Sequence, residues 1–389
     1  MKIAFTGGGT GGHFYPHIAV AEAVSAIARE NRLIEPKLYY LAPDPYDEQA
    51  LFAANIAFVR IPAGKMRRYF SLRNIGDLFK TFAGIVRALA VLFKLYPDVI
   101  FSKGSYASVP VVLAARLLRI PVVAHESDSK PGRATLLAAK SAVRIAVTFE
   151  SSIGYFPKKV QGKIARTGIP VREEFARPLP AGAREELRFD PSLPVLLILG
   201  GSTGSVRINE IVLSALPDLV GITNVIHQTG KENFAEVVAR SKVILEGSPS
   251  AALASRYRPF PFLTRESLLQ AAGAASVVVS RAGATAITEI ALWKKPAILI
   301  PIPESISHDQ RTNAYAYAHT GAAVVLEEDN MTPHILVSEV RRLNDPSLAG
   351  QMAARAEGFA NPQAARLIAE ELMRIGFSHS EPGTAATAG

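Results

Sequence analysis

No cysteine occurs in the 389 residues, which excludes disulfides and thiolate metal sites and fits a reducing cytoplasm. The eight histidines form no H-x-x-x-H or comparable cluster, so no metal site is expected. Long apolar runs are missing as well. The most apolar segment, Thr81–Tyr96, is broken by Arg87 and Lys94 and makes a poor membrane span. No basic leader accompanies Met1–Phe5, so a signal peptide is not expected. Acidic residues are in deficit, 34 Asp and Glu against 43 Lys and Arg, for a net charge of +9. The imbalance concentrates where Arg60, Lys65, Arg67, Arg68, Arg73, Lys80, Arg87 and Lys94 face only Asp77. Such a patch points to an anionic partner: phosphate, nucleic acid or a membrane surface.

What is present is ordinary globular material, 49% hydrophobic and 20% charged, in a chain long enough for two domains. Short apolar strands alternate with helical patterns. Strands are expected at Lys2–Phe5, Lys37–Leu41, Ala57–Ile61, Val99–Phe101, Val122–His125 and Ile145–Val147, with helices at His17–Arg29, Ile75–Leu95, Val109–Leu118 and Gly132–Ala139. That alternation predicts an α/β fold with a parallel sheet covered on both faces. Residues 167–194 carry five prolines and many charges and read as a connection between domains. A second series follows, with strands at Asn224–His227, Ala275–Ser280, Ala297–Ile300 and Ala323–Leu326. Each half opens on a strand and a glycine turn, Gly7–Gly12 and Gly200–Gly204. Two doubly wound domains facing a cleft are therefore expected, with ligands at the carboxyl ends of the strands.

The first turn, "TGGGTGGH" (6–13), formally satisfies G-x-G-x-x-G, and Asp44 after the second strand could serve as the ribose acid of a dinucleotide site. More generally, it exposes backbone N–H groups at a helix start, where phosphate charge is favoured. His13 follows directly. Histidine titrates near neutrality, which suits a general base or a phosphate contact, although a packed histidine at a helix start is the plainer alternative. In "SRAGATAITE" (280–289), Gly283 and the small residues Ala284 and Thr285 let backbone approach a ligand. Glu289, two turns into the helix, can accept two hydrogen bonds from vicinal hydroxyls. His125 and Glu126 end another apolar strand.

TGGGTGGH (6–13), KGSYASVP (103–110), HE (125–126), GGSTGS (200–205), HQTG (227–230), SRAGATAITE (280–289) and HDQRTNA (308–314) occur in the order of the MurG family, which the chain resembles from about residue 1 to 375. The resemblance implies the GT-B fold, two Rossmann-like doubly wound domains. It implies residues 1–168 as an acceptor and membrane domain completed by a helix at 360–376, 169–359 as a UDP-sugar domain, and 377–389 as a disordered tail. It implies an inverting transfer of N-acetylglucosamine from UDP-GlcNAc to the 4-hydroxyl of lipid I, giving lipid II in peptidoglycan synthesis, without cofactor or obligatory metal.

By the same resemblance His13 is the first candidate for the base and Glu126 the second. Thr10, Gly11 and Gly12 border donor and acceptor phosphates. Ser202 holds a donor phosphate, the Leu263 backbone meets the uracil, Glu289 takes the ribose hydroxyls and Gln310 reaches the sugar. Asp128, Arg172, Ala284 and Thr285 complete the donor set. Gly8, Gly9, Gly104, Ser105 and Tyr106 form an acceptor-side phosphate loop. The family's H-E-Q-N stands here as "HESD" (125–128), where Asp128 accepts hydrogen bonds but cannot donate them and adds charge beside phosphates. Ile169 in "GIPVR" replaces an asparagine.

An acceptor with a polyprenyl tail needs a membrane surface, which makes the protein peripheral, on the cytoplasmic face of the plasma membrane. Met66, Arg67, Arg68, Tyr69 and Phe70 are the expected contacts. The stripe Leu72, Ile75, Phe79, Phe82, Val86, Leu89 and Phe93 is expected to pack on the sheet, with Arg73, Lys80, Arg87 and Lys94 beside it. No nucleic-acid motif accompanies the charge. The rival readings are a GT-B transferase for another lipid, a UDP-sugar epimerase of the same architecture, a dinucleotide oxidoreductase, and a UDP-GlcNAc binder without turnover.

Overall fold

The strands are short apolar runs buried along their whole length, such as Val99–Ser102 and Val195–Leu199, as parallel sheets covered on both faces require. The computed structural model describes the chain except residues 66–72, 177, 180–182, 187–188, 202–203, 248, 306–307 and 381–389, and describes only the backbone of 73–75, 183–184, 249–252, 308 and 380. The chain divides into two units, 1–172 with 361–389, and 173–360.

In the first unit β1 (Lys2–Thr6), β2 (Lys37–Ala42), β3 (Ile56–Arg60), β4 (Val99–Ser102), β5 (Val122–Glu126), β6 (Arg144–Val147) and β7 (Ile164–Arg166) lie in the order β3-β2-β1-β4-β5-β6-β7. All pairs are parallel, with Phe5 beside Phe101 and Thr6 beside Ser102. In the second unit β8 (Val195–Leu199), β9 (Asn224–Gln228), β10 (Tyr257–Phe260), β11 (Val277–Ser280), β12 (Ala297–Leu299) and β13 (Ala323–Val325) lie in the order β10-β9-β8-β11-β12-β13, again parallel. The order reverses between β1 and β4 and between β8 and β11. Open α/β sheets bind ligands at such reversals, outside the carboxyl ends of the strands. Both glycine turns fall there.

The final helix, Ala364–Ser380, returns to the first unit and lies along the Gly11–Glu30 helix. It buries Ile368, Ala369, Leu372 and Met373 in the same core as Phe5, Phe14, Ile18 and Phe101, and Arg366 pairs with Glu30 at 2.7 Å. Residues 377–380, expected in the tail, are helical. Strands β7 and β10 were not expected from the sequence; each is brief and mixes charge or proline into its run.

The Arg73–Leu95 helix corrects a further expectation. Its packed side is Asp77, Gly84, Ala88 and Leu92, set against the Val109–Leu117 helix. A Cβ on Gly84 would lie 1.9 Å from the Pro62 carbonyl oxygen, so only glycine permits that approach. The larger apolar side chains point away from the sheet: Phe79 is 70% exposed, Phe82 65%, Val86 53% and Phe93 76%. Leu89 is partly buried at the edge of the core. Exposed Lys80, Arg87 and Lys94 follow that outer face, Arg87 being anchored to the Arg60 carbonyl at 2.7 Å. Among the described residues, no helix is long and apolar enough to cross a membrane.

Candidate active site

The turn after β1 is strapped to the turn after β4. The Gly8 N–H donates to Ser105 Oγ at 3.2 Å, and Ser105 itself holds a left-handed backbone at φ 67. Gly8, at φ 151, would place a Cβ 2.5 Å from the Tyr40 hydroxyl, and that hydroxyl donates to the Gly7 carbonyl. No side chain can occupy position 8 without displacing this tie, so the loop presents main chain alone. The Gly11–Glu30 helix then begins without a side-chain cap and without an acidic residue in its first turn. Thr10, at the N-cap, instead meets His13 Nδ1 at 2.9 Å. The Gly11 N–H meets the Tyr46 hydroxyl and the His13 N–H the Thr10 carbonyl, and the positive end of the helix there favours negative charge.

Below the loop lies a cluster of titratable groups. Lys103, just beyond β4, is 2% exposed and donates to Ser127 Oγ. Its desolvation lowers its pKa to about 8, opposed by the Glu126 and Asp128 carboxylates. Glu126 ends β5 fully enclosed, and burial, with the nearby Asp128 charge, raises its pKa to about 7. Both Glu126 oxygens are engaged, Oε1 accepting from Asp128 N and Oε2 from Gly132 N, each at 3.0 Å; Thr135 adds a third hydrogen bond. His13 keeps one solvent-reached edge, but enclosure and the Lys103 charge hold its pKa at about 4. His17 and His125 are fully buried and their pKa values are driven well down, by desolvation first and Lys103 second. His125 Nε2 meets the Gly168 carbonyl at 2.9 Å. Neutral imidazoles therefore surround one buried ammonium at neutral pH.

In the second unit Ser205 caps the Val206–Ile222 helix by accepting from Ile208 N. Arg281, after β11, donates to Ser205 Oγ at 2.6 Å, reaches the Ile300 and Pro301 carbonyls and pairs with Glu328 at 2.5 Å. Gln228, at the end of β9, donates to the Gly201 carbonyl at 3.1 Å and accepts from Leu263 N at 2.9 Å. Gln310 Oε1 accepts from Ala282 N and Ile302 N, both at 3.2 Å. The Ala284–Leu292 helix starts behind Gly283 with no side-chain cap; Ala284 is buried, while Thr285 and Glu289 are half-buried one turn apart. His227 pairs with Tyr257 and Asn209 at 2.9 and 3.1 Å, and burial lowers its pKa to about 3. It is a neutral core histidine.

The first unit thus gathers His13, Thr10, Gly8, Gly9, Gly11, Gly12, Gly104, Ser105, Tyr106, Glu126 and Asp128 at the ends of β1, β4 and β5. Arg172, which ends the unit's first segment, stacks over Tyr15 with its guanidinium carbon 5.5 Å from the ring centre. Leu263, Ala284, Thr285, Glu289 and Gln310 gather at the ends of the second sheet's strands. The Leu263 N–H is already given to Gln228, a tie the sequence did not show. Ser202 and Met66, Arg67, Arg68, Tyr69 and Phe70 lie outside the described residues. Lys103 was missed as a site residue; its signal was a lysine directly following the apolar run of β4. Arg281 was likewise quoted in a motif without a role. Among the described residues no three His, Asp or Glu side chains form a metal-holding group.

Residues 3–147 match the glycosyltransferase family 28 N-terminal domain and 195–372 its C-terminal domain. The chain is 35% identical over 395 aligned residues to the UDP-N-acetylglucosamine–N-acetylmuramyl-(pentapeptide) pyrophosphoryl-undecaprenol N-acetylglucosamine transferase of Treponema denticola, covering 97% of this chain and 99% of that one. It is 38% identical to the protein of the same name from Treponema pallidum, covering 89% and 88%. Its fold is similar to that of the crystal structure of Acinetobacter baumannii MurG, with TM-score 0.72 at 24% identity over 96% and 99% of the two chains. The UDP-GlcNAc 2-epimerase of Neisseria meningitidis, solved with UDP-GlcNAc, shares the fold at TM-score 0.65 and 15% identity, over 96% and 100%.

Proposed function

The chain belongs to the MurG family of glycosyltransferase family 28, and from that membership we infer that it moves N-acetylglucosamine from UDP-GlcNAc to lipid I, giving lipid II. The observation that carries the reading is near-full-length identity to curated transferases. The site chemistry agrees with it. A glycine loop of bare main chain and an uncapped helix start suit a diphosphate, and His13 stands beside them.

We assign His13 as the base. Its Nδ1 faces the Thr10 hydroxyl; with the Nδ1–H donated there, Nε2 is free to take the proton of the acceptor 4-hydroxyl. That oxygen attacks the anomeric carbon, the bond to the UDP oxygen breaks, and the configuration inverts. A pKa of about 4 is low for this work. Diphosphate charge beside the ring favours imidazolium and raises it toward neutrality, so the base strengthens as substrates bind. Glu126, with both oxygens held by main chain, shapes the 127–132 loop. Departing UDP is stabilised by the helix start at Ala284 and Thr285, with Glu289 on the ribose and the sugar met by the Nε2 amide of Gln310, whose Oε1 is held by main chain, without an obligatory metal.

The outer face of the Arg73–Leu95 helix, with Phe79, Phe82, Val86 and Phe93 exposed beside Lys80, Arg87 and Lys94, suits an anionic bilayer at the cytoplasmic side, where the lipid acceptor is presented.

The deciding assay supplies UDP-GlcNAc and a lipid I analogue in anionic vesicles. Formation of the β-linked disaccharide lipid with stoichiometric UDP is expected. Conversion of UDP-GlcNAc to its 2-epimer without acceptor would replace this reading with the epimerase. Vesicle binding should fall as salt rises and drop about tenfold in a Phe79→Ser, Phe82→Ser, Phe93→Ser variant; unchanged binding would remove the helix from the membrane face.

A further inference from the structure

The reaction just described gives Lys103 no task, yet its placement is unusual. A buried ammonium is strongly unfavourable unless acceptors and opposite charge surround it. Lys103 is 2% exposed, and its neighbours come from four directions. The Gly11–Glu30 helix contributes His13 and His17, both neutral. The end of β5 contributes neutral His125 and the Glu126 carboxyl. The turn after β1 contributes only main chain, an ideal Cβ on Gly7 lying 3.1 Å from Lys103 Cβ. The 127–132 loop contributes the Ser127 hydroxyl, which accepts from Nζ, and the Asp128 carboxylate. Among the described residues the opposing charge therefore resides on Glu126 and Asp128, the two carboxyls that act on this ammonium.

We propose that Lys103 is a positioning residue: its buried ammonium anchors Ser127 and balances the Asp128 carboxylate, and Glu126 as it ionises, which lets a diphosphate-binding site carry an aspartate. Lys103 and "SD" (127–128) then form one charge-compensated unit linking the turn after β4 to the loop after β5. Without the ammonium, Asp128 repels the pyrophosphate and the Ser127 anchor is lost. Without Asp128, the need for the ammonium is relaxed. The proposal rests on the transferase reading for its substrate, but the coupling between the two residues does not.

A double-mutant cycle tests it. Lys103→Met is expected to raise KM for the lipid I analogue at least tenfold while kcat changes less than threefold. Adding Asp128→Asn to it should return KM to within threefold of Asp128→Asn alone. Carboxyl carbon NMR of substrate-free protein supplies a readout that a packing role would not move. The Glu126 titration should shift upward in Lys103→Met and back in the double variant, because attraction between the groups acts on both. If Lys103→Met folds only together with Asp128→Asn, the coupling is supported directly. If it does not fold in either background, Lys103→Gln, which keeps a donor for Ser127 without the charge, is read in the same cycle. Multiplying KM losses with a Glu126 titration that ignores Lys103 would overturn the proposal. If wild-type protein transfers no sugar, the function falls while the Glu126 titration still decides the role of Lys103.

Discussion

After β1 the glycine turn leads into a helix whose N-cap side chain, Thr10, reaches His13 instead of capping. After β8 the corresponding turn leads into Ser205, which caps its own helix and is itself held by Arg281. The first turn overlies groups whose protonation states burial and charge have moved toward neutral pH, Lys103 and Glu126, and a histidine held deprotonated. The second is braced by the Arg281 guanidinium, and among the described residues the histidine beside it, His227, is locked in the core. Similar strand–glycine–helix segments thus serve two purposes. One leaves groups able to move a proton; the other fixes its loops in place.

The sharpest way to break this contrast is to exchange histidines for alanine on both sides. His13→Ala should lower kcat by roughly 10²–10⁴, with the melting temperature nearly unchanged. His227→Ala should instead destabilise by about 2–4 kcal/mol, by stranding Tyr257 and Asn209, while the folded fraction keeps its kcat. Comparable kcat losses in both would erase the distinction. Arg281→Met comes next. It leaves Glu328 and Ser205 without their partner, and a loss of about 2–3 kcal/mol is expected, with KM for UDP-GlcNAc up at least tenfold and kcat less affected.

pH separates the two first-unit groups by sign. The folded Glu126 carboxyl keeps its proton up to about pH 7 whereas its ordinary value is 4.5, so its contribution to stability falls as pH rises through that window and is constant above it. His13 runs the other way: with a folded value near 4 against 6.5, its contribution is full above pH 6.5 and is lost as pH falls toward 4. Glu126→Gln should therefore gain on wild type by roughly 2–3 kcal/mol between pH 4.5 and 7, read as a growing difference in melting temperature. A difference that stays flat would show the carboxyl to be ionised at ordinary pH. The two glycine turns differ in the space around them, and Gly201→Ala is the smallest effect of all. Gly8→Ala meets the Tyr40 hydroxyl and should cost about 2–3 kcal/mol. Gly201→Ala, whose Cβ would meet, among the described residues, Arg281 Cγ at 4.0 Å, should cost about 1–2 kcal/mol from its φ of 90.

The alternation of apolar strands and glycine turns was legible because each strand is buried on both faces and each turn needs a backbone that side chains refuse. The positions of His13, Glu126, Glu289 and Gln310 at strand or helix ends were legible for the same reason. Lys103 was not, because a lysine after a strand normally marks solvent; its burial is made tolerable by Glu126 at the end of a different strand and by Ser127 and Asp128 in the loop after it, 23 and more residues away in "HESD" (125–128). The Arg73–Leu95 helix failed differently. Its period revealed an apolar face, but the packed side is chosen by small residues, Gly84 and Ala88, that admit close helix contact. The large side chains lie on the opposite, exposed side.

The closing helix has a consequence for how the protein is made. Because Ile368, Ala369, Leu372 and Met373 belong to the core around β1, the first unit cannot close its core until the 364–380 helix has been made. Residues 173–360 form an insertion that can finish on the ribosome while the earlier sheet still lacks one wall. The half synthesised first is the half completed last. A nascent chain stopped near residue 360 should resist protease across the second unit and yield across the first.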